Sequence, residues 1–135
     1  MATGGAGQFV WIGACVFLAK SVGASDDLLS VPSGQPVTFQ EMIWDQPGDG
    51  LMYRFRFVAP EIGSAGREYE DVEADMQYLC ERFAIPRVAV TGPQPNQIVI
   101  SLGQEETEFG VANDGVIQFF EAYRIEDETC ILEFF

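Results

Sequence analysis

The residues with the clearest capacity for chemistry are three arginines on two predicted strands. Arg54 and Arg56 alternate with apolar and aromatic side chains in the stretch LMYRFRFV, and Arg124 lies in the stretch VIQFFEAYRI. Because successive side chains of a strand point to opposite faces, Arg54 and Arg56 are predicted to share the face opposite the aromatics. Two adjacent guanidinium groups can bind a carboxylate or another anion through paired hydrogen bonds. The alternative is cross-strand ion pairing with Glu41 or Glu121.

Two aromatic residues, Trp44 and Tyr53, flank the first predicted hairpin. They complete the candidate binding site, in which their rings would stack against a ligand. Packing of both rings in the core or at its rim is the alternative. Phe134 and Phe135, in the stretch ILEFF, present a similar choice between core packing and an exposed docking patch.

Several residue types that enzymes commonly use are missing from the sequence. The sequence has no histidine. Its one lysine, Lys20, lies in a segment that is predicted to be removed. Catalytic triads that require histidine and Schiff-base chemistry that requires lysine are therefore not expected. Neither of the common glycine-rich phosphate-binding motifs is present. We expect no catalytic residue, no metal site and no cofactor.

Carboxylates form two clusters, over residues 68–75 and 105–108. Neither cluster has the twelve-residue spacing of a calcium-binding loop, and solvated surfaces are the simpler interpretation. A hydrolase that uses two carboxylates, one of them with a raised pKa, is the catalytic alternative.

The charge of the chain excludes two classes of partner. The chain has 7 basic and 21 acidic residues, which gives a formal net charge of −14. Without residues 1–24 the balance is six arginines against 21 acidic residues, or −15. Such a surface repels nucleic acid and anionic membrane surfaces, so neither is expected as a partner.

The N-terminal segment predicts export. Residues 9–19 carry no charge, and residues 22–24 end in a small-residue site that predicts cleavage after Ala24. We therefore expect a signal peptide over residues 1–24 and a single periplasmic domain over residues 25–135. The segment before the apolar run lacks the usual positive charge. Two alternatives are lipidation at Cys15 and an uncleaved segment anchored in the inner membrane.

The remaining cysteines, Cys80 and Cys130, form an even pair once Cys15 has been removed. In a small exported domain such a pair predicts a disulfide bond. Two buried free thiols are the alternative. A metal site is disfavoured because neither cysteine has a nearby cysteine or histidine.

The elements that position these residues predict an α+β fold. An antiparallel sheet of four to five strands, in the order β-β-α-β-β-β, is expected to carry one helix on one face. The helix is predicted from Tyr69 to Ala84, with Pro86 ending it. Residues 88–91 are a possible short strand. The main strands are predicted over residues 37–44, 51–58, 97–102, 116–125 and 129–135.

Five segments carry a resemblance to a known family: VPSGQPV, GLMYRFRFVAP, DMQYLC, GPQPNQIVISL and QFFEAYRIEDETC. From Val31 onward the chain resembles a small exported family of alphaproteobacteria that is classed as a domain of unknown function. The resemblance implies a signal peptide and a periplasmic domain with two cysteines. It implies no activity.

These features predict a non-enzymatic periplasmic domain that binds or assists another protein of the cell envelope. One alternative is an accessory subunit of an inner-membrane complex, held there by an uncleaved N-terminal segment. Another is a small carboxylate-based hydrolase or an anion-binding protein. The identity of the partner and the oligomeric state do not follow from the sequence.

Overall fold

A computed structural model describes residues 27–46, 48, 50–63 and 67–134. The predicted signal peptide, Cys15 and Phe135 lie outside the described residues. The described strands are β1 (Thr38–Asp45), β2 (Met52–Val58), β3 (Gln97–Gly103), β4 (Gln118–Glu126) and β5 (Thr129–Leu132). Between β2 and β3 lies a helical region, which consists of α1 (Tyr69–Leu79), a π-helical turn (Cys80–Ala84) and α2 (Ile85–Thr91).

The fold is α+β, as predicted, with one sheet in the order β1-β2-β3-β4-β5. The prediction of a wholly antiparallel sheet is wrong, because β2 and β3 are parallel. The helical region carries the chain back to the end of the sheet at which β2 began, and a strand that starts there must run parallel to β2. The other three strand pairs are antiparallel.

The helical region is longer than predicted and contains two α-helices joined by a π-helical turn where one helix was expected, so the series of elements along the chain differs from the predicted one. Pro86 does not end the helix; it lies in the first turn of α2, which directly follows the π-helical turn. The π-helical turn before it widens the helix at the point where a continuous α-helix would clash with the proline ring. The possible strand over residues 88–91 is the end of α2.

The core lies between the helical region and one face of the sheet. Alternation along β2 buries Tyr53, Phe55 and Phe57 on that face, as the pattern predicted. The ring of Phe83 lies 6.2 Å from that of Phe55 and 5.1 Å from that of Phe57. Val72, Met76 and Leu79 add the apolar stripe of α1.

The predicted disulfide bond is confirmed: Cys80 and Cys130 are bonded, with their Cα atoms 6.2 Å apart. The bond links the helical region to β5 at the edge of the sheet. Two side chains of the helical region also form hydrogen bonds with the backbone of Cys130. Gln77 Nε2 donates to the Cys130 carbonyl at 2.6 Å, and Glu81 Oε2 accepts from the Cys130 N–H at 3.0 Å.

Candidate functional site

The face of the sheet opposite the helices carries Arg54 and Arg56. In the parallel pairing of β2 with β3, Arg54 lies beside Val99 and Arg56 beside Ser101. The segment of residues 104–117 crosses this face and leaves a cleft of about 170 Å³ beneath it. This arginine cleft is lined by Arg54, Arg56, Ser101, Phe109, Gln118 and Phe120, among others.

Arg56 is a fixed part of the cleft. Its side chain is only 4 % exposed, and its guanidinium group forms an ion pair with Glu41 of the neighbouring strand β1. The other terminal nitrogen donates to the Thr107 hydroxyl at 2.9 Å. Arg56 therefore holds the crossing segment on the sheet, and its charge is already matched by a carboxylate. The predicted alternative of a cross-strand ion pair is correct for this arginine.

The guanidinium group of Arg54 differs from that of Arg56 in its ion-pair partners. It is partly buried, and within the described part of the chain no carboxylate lies within ion-pairing distance of its guanidinium group. Burial lowers the pKa of Arg54 below its ordinary value, and the positive charge of Arg56 lowers it further, while Asp45 acts in the opposite direction. The positive charge of Arg56 would also attract an anion placed beside Arg54.

The roof and the floor of the cleft differ in chemistry. Phe109 forms the roof, and its ring centroid lies 5.2 Å from Cζ of Arg54 and 5.5 Å from Cζ of Arg56. Both distances fall in the range of cation–π contacts. Ser101 belongs to the floor, where its hydroxyl oxygen accepts a hydrogen bond from Gln118 Nε2 at 3.2 Å. The cleft thus presents positive charge, a hydroxyl group and an aromatic ring.

A second, larger cleft lies on the helical side of the sheet, at the end where β1 turns into β2. It has a volume of about 630 Å³. This tryptophan cleft is lined mainly by Met42, Trp44, Leu51, Tyr53, Pro93 and Asn96. Trp44 is 61 % exposed, although most of its surface is apolar.

Three hydrogen bonds hold the walls of the tryptophan cleft together. The Leu51 backbone N–H donates to Asn96 Oδ1 at 2.9 Å, and the Asn96 backbone N–H donates to the Leu51 carbonyl at 2.8 Å. The Tyr53 hydroxyl donates to the Pro93 carbonyl at 3.2 Å. These bonds fix the segment after α2 against the start of β2, so the cleft is formed before any ligand binds.

The predicted binding residues separate into two groups. Arg54 and Arg56 meet in the arginine cleft, whereas Trp44 and Tyr53 meet in the tryptophan cleft on the other face of the sheet. Arg124 lines neither cleft. It is exposed and forms an ion pair with Glu126 on the same strand at 2.9 Å.

Other residues of the two clefts were missed by sequence reasoning. Thr107 and Phe109 lie between the predicted strands over residues 97–102 and 116–125, and Pro93 and Asn96 precede the first of these strands. No local pattern marks these residues, because each reaches its cleft through a long-range contact.

Phe134 is 87 % exposed, so it does not pack in the core. The alternative of an exposed docking patch therefore remains for this residue.

A family model described as a family of unknown function, DUF6497, matches residues 14–135. The chain belongs to this family. The match covers the whole of the sheet, the helical region and both clefts of this DUF6497 member. Searches of curated proteins and of solved structures returned no match.

The two predicted carboxylate clusters lie on opposite sides of the sheet, since residues 68–75 belong to the helical layer and Thr107 contacts Arg56 on the other face. They therefore form no common pair. The described residues include no cluster of three or more groups placed to hold a metal ion. No helix in the described ranges is long and apolar enough to span a membrane.

Proposed function

We propose that this chain is a non-enzymatic domain of the bacterial periplasm that binds another protein of the cell envelope through the tryptophan cleft. The observation that carries this proposal is Trp44, a largely exposed aromatic side chain on the wall of a preformed apolar cleft. Tryptophan is the side chain most enriched among residues that dominate binding energy at protein interfaces. Its burial by a partner removes a large apolar surface from water.

The surroundings of the cleft favour an extended segment of the partner. The side-chain amides of Gln46 and Gln94 lie at its rim and can bond a peptide backbone. Trp44 belongs to β1, which among the described strands pairs only with β2 and forms an edge of the sheet. A segment lying along this edge could place one apolar side chain in the cleft, as in other cases of strand addition.

The acidic charge of the chain favours a partner segment that carries basic residues. With 21 acidic residues against six arginines after residue 24, the domain attracts a segment with basic residues around its apolar anchor. Complementary charge of this kind speeds association and disfavours acidic competitors.

The proposed location is supported by the apolar run over residues 9–19, by the small-residue site that ends at Ala24, and by the disulfide bond. Disulfide bonds persist in oxidising compartments such as the periplasm. The test is the intact mass of the unreduced protein from the cell envelope. A mass for residues 25–135 less two hydrogens is expected. A full-length or lipid-bearing mass would contradict cleavage and favour a membrane-held accessory subunit.

The binding role is tested by affinity capture from cell envelopes with wild type, Trp44→Ala and Phe134→Ala. Both substituted side chains are exposed, so neither change should unfold the domain. We expect at least one envelope protein to be recovered about tenfold less with Trp44→Ala and equally with Phe134→Ala. Equal recovery with Trp44→Ala would contradict the proposal, as would a loss confined to Phe134→Ala.

A further inference from the structure

We propose that the arginine cleft binds a small monocarboxylate, with the carboxylate on Arg54 and the apolar part of the ligand against Phe109 and Phe120. This site is separate from the tryptophan cleft and adds a small-molecule ligand to the proposed protein partner.

The two arginines of the cleft differ in their partners. The Arg56 guanidinium group has both Glu41 and Thr107 as partners. The Arg54 guanidinium group, two residues away on the same face, has no hydrogen bond to any group in the described ranges, and its contact there is with the Phe109 ring. A guanidinium group has five N–H donors in a planar fork, and two of them match the oxygens of one carboxylate.

The charged side chains around the cleft favour a singly charged anion over a doubly charged one. Arg54 and Arg56 together carry two positive charges, and Glu41 offsets one of them. Glu108 also lines the cleft. Glu41 and Glu108 together balance the two arginines, so in a chain with a net charge of −14 a doubly charged group such as phosphate is disfavoured more strongly than a singly charged one. A monocarboxylate matches both the charge and the planar fork.

Apolar side chains form the rim of the arginine cleft. Phe109, Val111 and Phe120 line the cleft and are all exposed, with Phe120 at 63 %. These side chains can cover the apolar body of a ligand whose carboxylate lies on Arg54. The cleft volume of about 170 Å³ equals that of about five or six water molecules, which limits the ligand to a small acid. The Ser101 hydroxyl on the floor can donate to the second carboxylate oxygen.

The experiment titrates the disulfide-bonded domain with sodium benzoate and follows the arginine side-chain signals by NMR, with calorimetry for the affinity. Benzamide supplies the same ring without the charge, and inorganic phosphate supplies a different anion. A tripeptide ending in Phe, with a free or an amidated C-terminus, separates a protein C-terminus from a free acid as the source of the carboxylate.

We expect benzoate to bind at least tenfold more tightly than benzamide or phosphate. Arg54→Gln should weaken benzoate binding at least tenfold. Arg124→Gln is the matched control, because it removes an arginine from the same face outside the cleft, and it should leave the affinity unchanged. Trp44→Ala should also leave it unchanged, which separates this test from that of the proposed function.

Three results would overturn the proposal: no binding of benzoate or of the free-acid tripeptide at millimolar concentration, equal binding of benzamide, or an unchanged affinity in Arg54→Gln. Should Arg54→Gln fail to fold, Phe109→Ala changes an exposed side chain of the same cleft and should weaken benzoate binding several-fold. An unchanged affinity in Phe109→Ala would then contradict the site. Tighter binding of the free-acid tripeptide than of benzoate would assign the carboxylate to a protein C-terminus.

Discussion

Ser33 donates two hydrogen bonds to the buried carboxylate of Asp75, one from its backbone N–H at 2.9 Å and one from its hydroxyl at 2.6 Å. Gln35 Nε2 adds a third at 2.7 Å. Asp75 lies on α1 and is fully buried, whereas Ser33 and Gln35 belong to the turn that precedes β1. A single carboxylate on the helix therefore holds the start of the described chain against the helical layer.

Asp75→Ala is expected to lower the free energy of unfolding by about 3 kcal/mol, because it leaves buried donors of Ser33 and Gln35 without an acceptor. Urea unfolding followed by circular dichroism measures the change. Glu70→Ala, which removes an exposed carboxylate from the same helix, should change the free energy by less than about 0.5 kcal/mol. Similar losses in the two variants would contradict the role of Asp75.

Removal of the disulfide bond by replacing both Cys80 and Cys130 with Ala is expected to lower the free energy of unfolding by about 4 kcal/mol. The bond closes a loop with a sequence separation of 50, and the unfolded chain gains entropy when that loop opens. Thermal unfolding with and without reductant measures the effect. Reductant should lower the midpoint of the wild type and leave that of the double variant unchanged. A wild-type midpoint that is insensitive to complete reduction would contradict this prediction.

Stability is expected to fall in alkali because of Tyr69. Its hydroxyl donates to Glu121 Oε2 at 2.7 Å, and this hydrogen bond raises the pKa of Tyr69 from 10.0 to about 12. A tyrosine with a raised pKa in the folded state contributes stability that is complete below pH 10 and is lost as the pH rises toward 12. Urea midpoints between about pH 9 and pH 11 should fall less steeply in Tyr69→Phe than in wild type. Equal slopes would contradict the assignment.

Tyr123→Phe is expected to raise the free energy of unfolding by about 1 kcal/mol. The Tyr123 hydroxyl is buried without a hydrogen-bond partner in the part of the chain that the structure describes, and burial raises the pKa of Tyr123. Its removal keeps the packed ring and ends the desolvation penalty of the hydroxyl. Tyr53→Phe is the matched control with the opposite sign, since it loses the hydrogen bond to Pro93. A loss of stability in Tyr123→Phe, measured by urea unfolding, would contradict the prediction.

The two faces of β2 and the disulfide bond follow from the sequence. Alternation in LMYRFRFV is strong enough to assign Tyr53, Phe55 and Phe57 to the core, because a shift by one residue would place both arginines in the apolar core instead. The parallel pairing of β2 with β3 does not follow. It depends on where the helical region ends, and that end was misplaced because the proline at position 86 is compatible with the first turn of a new helix.

The shared face of Arg54 and Arg56 also follows from alternation, but the separation of Trp44 from these arginines does not. A β-bulge between Phe39 and Glu41 shifts the register of β1, so that Phe39 and Met42 face the same side of the sheet. Trp44 shares that side, with Tyr53 as its cross-strand partner. The roof of the arginine cleft comes from Phe109, which approaches through a segment without a regular pattern.

The central claim is that a protein of the envelope binds at Trp44, and photocrosslinking tests it most directly. A photoreactive amino acid replaces Trp44 or, as the control, Phe134, which is the more exposed of the two. Irradiation of living cells should give a discrete adduct with an envelope protein from position 44 and none from position 134. An adduct from position 134 alone, equal labelling from both positions, or the absence of any adduct from position 44 would contradict the claim.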